Sequence, residues 1–211
     1  MRASGRLQLR YATALTSEEY VRQKSWQQAS LEQCPLHRRG GCGFARHGTY
    51  PRVKPAGTLI ARWYCPTGHT SFSLLPDCLA SRLGGSLDDV EDVVATVEEK
   101  VAAGASIEAA AEEIRPDIEL ASALRWVRRR RGPVRVVLLA LVTLMPGRLG
   151  SEPRVGAVRE ALGSRQVLMG LREIGSGHLA FLAPPVGFGP RHQRRRRRRR
   201  RTQHETGPDP P

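Results

Sequence analysis

The placement of cysteine and histidine between positions 34 and 69 constrains this chain more than any other sequence feature. One group of donors begins Cys34-Pro35-Leu36-His37 and includes Cys42, and a second group runs Cys65-Pro66-Thr67-Gly68-His69. Zn²⁺ is bound tetrahedrally by such Cys and His donors, which tight turns bring close together. Two β-like runs, 49–53 and 58–64, lie between the groups and can bring the turns into contact. The sequence therefore predicts a zinc site on a β-hairpin.

The sequence does not decide which residue pairs with Cys34 as a metal ligand. Cys65 and His69 form the clearer pair of donors. Cys34 has two candidate companions, His37 and Cys42, because either spacing forms a turn that can hold a metal. We expect one of these two to complete the set and the other to lie outside it.

The sequence argues against a catalytic metal and against disulfides. Asp77 is the only carboxylate between positions 34 and 83, so the base that a catalytic zinc site requires is missing and we expect a structural site. The first ten residues have no apolar core of a secretory signal, which favours metal binding over disulfide pairing. Cys78, nine residues past the second group, is predicted to be buried as a small apolar residue.

Charge changes sign along the chain and divides it. Segment 34–83 carries seven basic side chains and one acidic one, segment 84–123 carries two and eleven, and the whole chain has a net charge of +14. With the Gly and Pro punctuation, these shifts predict an α+β chain in five parts. They are an N-terminal helix and arm (1–33), a small zinc ribbon formed by a β-hairpin with two metal knuckles (34–83), a helix-turn-helix region (84–131), a helical C-terminal region (132–190) and a disordered Arg-rich tail (191–211).

Helical periodicity dominates after position 84. Ser86 followed by Asp89 predicts a capping box, Ser106 predicts a second cap, and Gly132-Pro133 predicts a break. Further upstream, Ser17 predicts the cap of an N-terminal helix. The predicted helices are 17–31, 86–101, 106–114, 118–131 and 134–145, with one or two more between 152 and 174.

Helices 106–114 and 118–131, joined by a short break, predict a helix-turn-helix with the second helix in the major groove of DNA. The residues predicted to reach base edges or phosphates from this helix are Ser122, Arg125, Arg128 and Arg129. Those predicted to hold phosphates from the hairpin are Arg46, Arg52, Lys54 and Arg62. Trp126 is predicted to belong to the core, and the arginine run 194–201 would bind any polyanion without sequence preference.

Three segments of this chain together resemble a known pattern. They are Gly41-Cys42-Gly43-Phe44-Ala45-Arg46-His47-Gly48-Thr49-Tyr50, Arg62-Trp63-Tyr64-Cys65-Pro66-Thr67-Gly68-His69 and, after them, Phe72-Ser73-Leu74-Leu75-Pro76. This pattern is typical of the zinc ribbon at the N-terminus of bacterial insertion-sequence transposases and their accessory proteins. In those proteins a helix-turn-helix usually follows the ribbon. The resemblance implies that Cys34, Cys65 and His69 ligate zinc and that the protein recognises DNA. The ribbon of this group usually has Cys where His37 and His69 stand here.

A transposase of this kind also needs a nuclease domain with three carboxylates. After position 131 the carboxylates are few (Glu152, Glu160 and Glu173 before the tail) and no strand-rich framework surrounds them. We therefore expect a non-enzymatic, zinc-dependent protein that binds double-stranded DNA, with a mobile-element origin and a transposase or recombinase as a possible partner. A small-molecule substrate is not expected.

Two further expectations concern location and the alternative function. The longest apolar run, 136–145, is too short to cross a bilayer, so we expect no membrane partner and a cytoplasmic, nucleoid-associated protein. The alternative function is a protein-interaction module that docks a recombinase or transcription complex and binds DNA only nonspecifically. The eleven carboxylates of segment 84–123 favour this alternative, because DNA would repel them.

Overall fold

The structure, a computed structural model, describes residues 5–189 and has an α+β architecture. Its strands and helices, in chain order, are β1 (Gly5–Tyr11), α1 (Ser17–Arg22), β2 (Ala45–Pro51), β3 (Leu59–Cys65), β4 (Thr70–Pro76), α2 (Leu87–Ala102), α3 (Ile107–Ile114), α4 (Leu120–Leu144), α5 (Pro146–Leu149), α6 (Val155–Leu162) and α7 (Val167–Ile174). Two 3₁₀ turns, Ser25–Gln27 and Ser176–His178, complete the set. The predicted tail, 191–211, lies outside the described residues.

Four strands form one sheet in the order β1-β4-β3-β2. The predicted hairpin is present as antiparallel β2 and β3, with Tyr50 opposite Ile60. Two strands were not predicted. β4 continues the meander antiparallel to β3, and β1 pairs parallel to β4, with Leu9 opposite Leu74. The N-terminal segment is therefore part of the sheet and is not only a helix and an arm.

The N-terminal helix is shorter than predicted. It begins after Thr16, whose side chain accepts a hydrogen bond from the backbone of Glu19 while the Glu19 carboxylate accepts one from the backbone of Thr16. The cap is thus one residue earlier than the predicted Ser17, and the helix ends at Arg22 rather than near position 31. Tyr20 from this helix is fully buried against the sheet, and its hydroxyl donates to the carbonyl of Leu59 at 3.1 Å.

The caps of the next two helices are confirmed. Ser86 and Asp89 form the reciprocal capping box of α2, and the hydroxyl of Ser106 accepts from the backbone of Ala109 at the start of α3. These caps satisfy backbone N–H groups that the first turn of a helix leaves without partners. Local sequence chemistry is enough to place both helix starts.

The predicted break at Gly132-Pro133 is wrong, because α4 runs through it without interruption. Pro133 removes one backbone hydrogen bond from the helix. Buried residues on both sides of it compensate: Val127 packs with α2 and α3, whereas Val134 and Val137 pack with the C-terminal helices. The predicted boundary between 131 and 132 therefore falls inside one helix that joins two apolar clusters.

Arg172 on α7 attaches the helices to the sheet. Its guanidinium is fully buried and donates to five backbone carbonyls at 2.7–3.1 Å, those of Pro76, Asp77, Leu79, Pro185 and Val186. Burial lowers the pKa of Arg172 to about 10, with nearby Asp77 opposing this shift, so the side chain is still charged at neutral pH. The end of β4 and the C-terminal loop thus share one cationic anchor.

Among residues 5–189, no helix combines the length and the apolar character needed to cross a membrane.

Candidate metal centre

Four of the five predicted metal ligands come together in the structure. The Sγ atoms of Cys34, Cys42 and Cys65 and a ring nitrogen of His37 all lie within 4.8 Å of one another. The three cysteines are buried and not in disulfides, and His37 is half-buried. These atoms are close enough to hold one metal ion.

The first three donors lie in the loop that precedes the hairpin. A turn brings His37 back towards Cys34, because the His37 backbone N–H donates to the Cys34 carbonyl at 3.2 Å. The backbone N–H of Gly40 then donates to the His37 carbonyl at 2.9 Å and continues the turn. Cys42 follows just before β2 begins, so the loop delivers all three side chains to one point at the end of the sheet.

The fourth donor, Cys65, is the last residue of β3 and begins the turn into β4. The Gly68 backbone N–H donates to Cys65 Sγ at 3.3 Å, an interaction that favours the thiolate. A Cβ atom on Gly68 would lie 2.6 Å from Leu36 Cδ1 and 3.6 Å from His37 Cε1. The absence of a side chain at Gly68 thus lets the two turns approach each other.

The pKa shifts of Cys34 and Cys65 have opposite directions. Burial of Cys34 opposes its ionisation, but hydrogen bonds from His37 and from nearby backbone N–H groups lower the pKa of the thiol to about 7. Burial raises the pKa of Cys65, and the neighbouring thiols of Cys34 and Cys42 raise it further. Three thiolates at such short range would repel one another, and a bound cation would remove that repulsion.

Two predictions about the ligands need correction. His37 and Cys42 are both members of the group, although only one of them was expected to complete it. His69 is not a member: it is an exposed residue of the turn between β3 and β4, with φ at +46°. The partner of Cys65 in that turn is the backbone of Gly68, which sequence spacing does not reveal.

Cys78 lies apart from the metal-binding group and is buried, as predicted. It is 2% exposed and packs in the apolar cluster of the sheet. Burial raises the pKa of its thiol to about 12.

Two of the hairpin arginines predicted to hold phosphates have backbone partners within the fold. Arg46 donates to the carbonyls of Trp26 and Gln27 at 2.6 and 3.0 Å. Arg52 donates with two nitrogens to the carbonyl of Ala80, each at 3.1 Å. These two arginines hold loops onto the sheet.

The other two basic residues of the hairpin differ from each other. Arg62 lies over the ring of Tyr50, 5.9 Å from its centroid, and reaches the hydroxyl of Ser71 at 3.5 Å. Lys54 is exposed in the loop between β2 and β3. Of the four predicted hairpin contacts, Lys54 alone is exposed without a hydrogen bond or ion pair among the described residues.

The predicted contact residues of α4 lie on its surface. Arg125 and Arg129 are exposed, and Arg125 donates to the hydroxyl of Ser122 at 2.9 Å. Arg128 is also exposed and pairs with Glu108 of α3 at 3.4 Å. The first half of α4 therefore presents three guanidinium groups to solvent.

Trp126 is partly in the core, as predicted, and partly at the surface. It packs against the cluster formed by α2, α3 and the first half of α4. The guanidinium of Arg130 lies 3.6 Å from its ring centroid and that of Arg115 lies 4.9 Å away.

The comparisons with known proteins do not identify the chain, since no family model, curated protein or solved structure matches it.

Proposed function

We propose that Cys34, His37, Cys42 and Cys65 hold one Zn²⁺ in a structural site. Three thiolates and one imidazole are a common ligand set for structural zinc, which binds four such donors tetrahedrally. Soft thiolate donors also disfavour Mg²⁺ and Ca²⁺, which prefer oxygen. Four protein ligands leave no open position for a water or a substrate, so the ion serves the fold.

The loop that carries the first three ligands explains what the ion contributes. Residues 28–44 form neither helix nor strand, and loops of this length without regular structure are uncommon in compact proteins. A metal ion that joins Cys34, His37 and Cys42 to Cys65 at the end of β3 would fix this loop against the sheet. Binding free energy would then contribute directly to folding.

We further propose that the protein is a non-enzymatic DNA-binding protein that uses the exposed face of α4. The observation that carries this proposal is the placement of Arg125, Arg128 and Arg129 on that face. At 100° per residue, these side chains fall within about 100° of one another around the helix. Such a cluster is suited to the phosphates and major-groove edges of duplex DNA.

Two other parts of the sequence fit this function. The net charge of +14 attracts polyanions, and the arginine run 194–201 would add affinity without sequence preference. The resemblance of the cysteine-containing segments to insertion-sequence proteins motivates a mobile-element origin as part of the proposal. A transposase or recombinase would then be the natural protein partner.

The test compares duplex binding by the full chain and by a double variant, Arg125→Ala with Arg129→Ala. We expect weaker binding and a slope of log K against log salt that is smaller by about 1.8, since each phosphate contact contributes about 0.9. The matched control is Arg148→Ala with Arg165→Ala, which removes two exposed arginines outside α4. Equal affinity of the double variant and this control would contradict the proposed DNA interface.

A second candidate function, docking of a protein partner, is favoured by the other half of the same helix. Val136, Leu139 and Leu144 are 49%, 55% and 54% exposed, which is unusual for large apolar side chains on one helix. A salt-insensitive complex with a recombinase or transcription protein, lost in Leu139→Glu, would support this candidate. Protein docking would replace DNA binding as the proposed function if the variant Arg125→Ala with Arg129→Ala binds duplex DNA as tightly as the unaltered chain.

A further inference from the structure

Trp126 lies at the junction of two concave surfaces. The larger is an open groove of about 1000 Å³, here called the Arg82 groove, whose walls include Arg82, Arg129, Arg130, Val136 and Pro184. The smaller is a depression of about 500 Å³ whose walls include Arg115, Ser122 and Arg125. Both contain Trp126 and Arg129, so the two surfaces form one track along α4.

The track is positively charged along its whole length. Every ionisable side chain among the described residues that line the two surfaces is an arginine. Arg115 and Arg130 approach Trp126 and carry like charges, which oppose each other in the absence of an anion. Asp117 neutralises Arg115 in part, through two hydrogen bonds of 2.7 Å. Arg130 forms no ion pair among residues 5–189, and the carboxylate that acts on it is the more distant Asp89. Such a track is suited to a ligand with several negative charges.

The apolar walls of the Arg82 groove restrict the ligand further. Leu83, Val136, Ala183 and Pro184 line the groove together with the arginines. A duplex hides its base faces in its own stack and offers mainly phosphates to a groove. An unpaired strand offers phosphates and exposed base faces together, and known single-strand sites combine a positive groove with aromatic side chains on which bases stack. Here Trp126 and the apolar walls lie beside the arginines and can contact base faces.

We propose that this track binds an unpaired nucleic-acid strand, with its phosphates on Arg82, Arg129 and Arg130 and its bases against Val136 and Pro184. The inference rests on the proposed DNA-binding function and deepens it, because Arg129 belongs to both the duplex face and the groove. The preferred DNA is then a duplex with a single-stranded extension.

The experiment measures binding of the full chain to two fluorescent probes by anisotropy. One is a blunt duplex, and the other is the same duplex with a ten-thymidine extension. We expect the extended duplex to bind roughly tenfold more tightly, as a few phosphate and base contacts would supply. Val136→Glu places a carboxylate in the groove at a half-exposed position and reduces this ratio to near one.

The matched control is Leu139→Glu, one turn further along α4. It makes the same charge change at a similar exposure, but Leu139 does not line the groove. Retention of the tenfold ratio in this variant supports the assignment, and an equal loss in both variants overturns it as a general charge effect.

The probes separate failure of the inference from failure of the proposed function. Equal binding of blunt and extended duplex by the unaltered chain overturns the inference and leaves duplex binding in place. Binding of the extended probe alone, sensitive to Val136→Glu, supports the track and overturns the duplex interface. Thermal unfolding of each variant verifies that the fold is kept.

Discussion

The Nδ1 atom of His37 lies 3.3 Å from Sγ of Cys65, although 28 residues separate them along the chain. This short distance joins a loop without regular structure to the end of a sheet strand. Cys34 Sγ lies 3.6 Å from the same nitrogen, so the imidazole sits between two thiols. A zinc ion at this point would link the loop to the end of β3 through side chains alone.

The choice between His37 and His69 gives the first prediction. His37→Ala removes one of four zinc ligands and should lower zinc affinity by about 3 kcal/mol, roughly 100-fold, if the binding free energy of a structural site is shared among its ligands. Competition with a chromogenic chelator measures this affinity. His69→Ala is the control and should leave it unchanged, because His69 is outside the group. The reverse result would restore the predicted Cys65–His69 pair.

The loop should depend on the metal for its order. Arg38 and Arg39 are exposed in it and are cleavage sites for trypsin. We expect chelation to accelerate cleavage there, because the loop loses the links that hold it to the sheet. Arg165, exposed in the turn between α6 and α7, provides an internal control with an unchanged rate. Mass spectrometry of the fragments distinguishes the sites, and acceleration at all of them would indicate global unfolding instead.

Cys78 should differ from the other cysteines in reactivity. Since burial raises the pKa of its thiol to about 12, almost no thiolate is present at pH 8. We expect iodoacetamide to modify Cys34, Cys42 and Cys65 after zinc removal and to spare Cys78 until the protein is denatured. Peptide mapping reads the modified sites. Prompt modification of Cys78 in the folded chain would be inconsistent with its burial.

The same thiol makes stability depend on alkaline pH. Its pKa rises from an ordinary 9.0 to about 12 on folding, so the folded state holds more protons than the unfolded state between these values. The stabilisation is therefore complete below pH 9 and is lost as pH rises towards 12, by at most about 1.4 kcal/mol per pH unit. Urea unfolding at several pH values should show a shallower decline in Cys78→Ala than in the unaltered chain.

Arg172 should be among the most sensitive positions for stability. Arg172→Lys offers three donors to five carbonyls and leaves some of them buried without partners. We expect a loss of about 3 kcal/mol in the free energy of unfolding, measured in urea with zinc present. Arg165→Lys, at an exposed position, should change it by less than about 0.5 kcal/mol. A similar small effect at Arg172 would contradict its role as an anchor.

Features that depend on neighbouring residues in sequence were predictable. The caps at Ser86 and Ser106 and the hairpin of β2 and β3 follow from local hydrogen-bonding and turn chemistry. The pairing of β1 with β4 does not, because its partners are about 65 residues apart and local pattern carries no sign of the register.

The two main errors also have physical causes. Pro133 was expected to end a helix, but packing of buried residues before and after it outweighs one missing backbone hydrogen bond. The spacing of Cys65 and His69 favoured a ligand pair, yet the turn between them directs a backbone N–H to the sulfur and leaves the imidazole at the surface. Spacing alone does not specify which way a turn points its side chains.

The most direct measurement is X-ray absorption at the zinc edge of the 211-residue chain, with zinc content determined on the same sample. The proposed site predicts one zinc per chain, with three sulfur ligands at about 2.3 Å and one nitrogen ligand at about 2.0–2.1 Å. A shell of two sulfurs and two nitrogens, or a chain that folds fully without binding zinc, would contradict the Cys34–His37–Cys42–Cys65 centre.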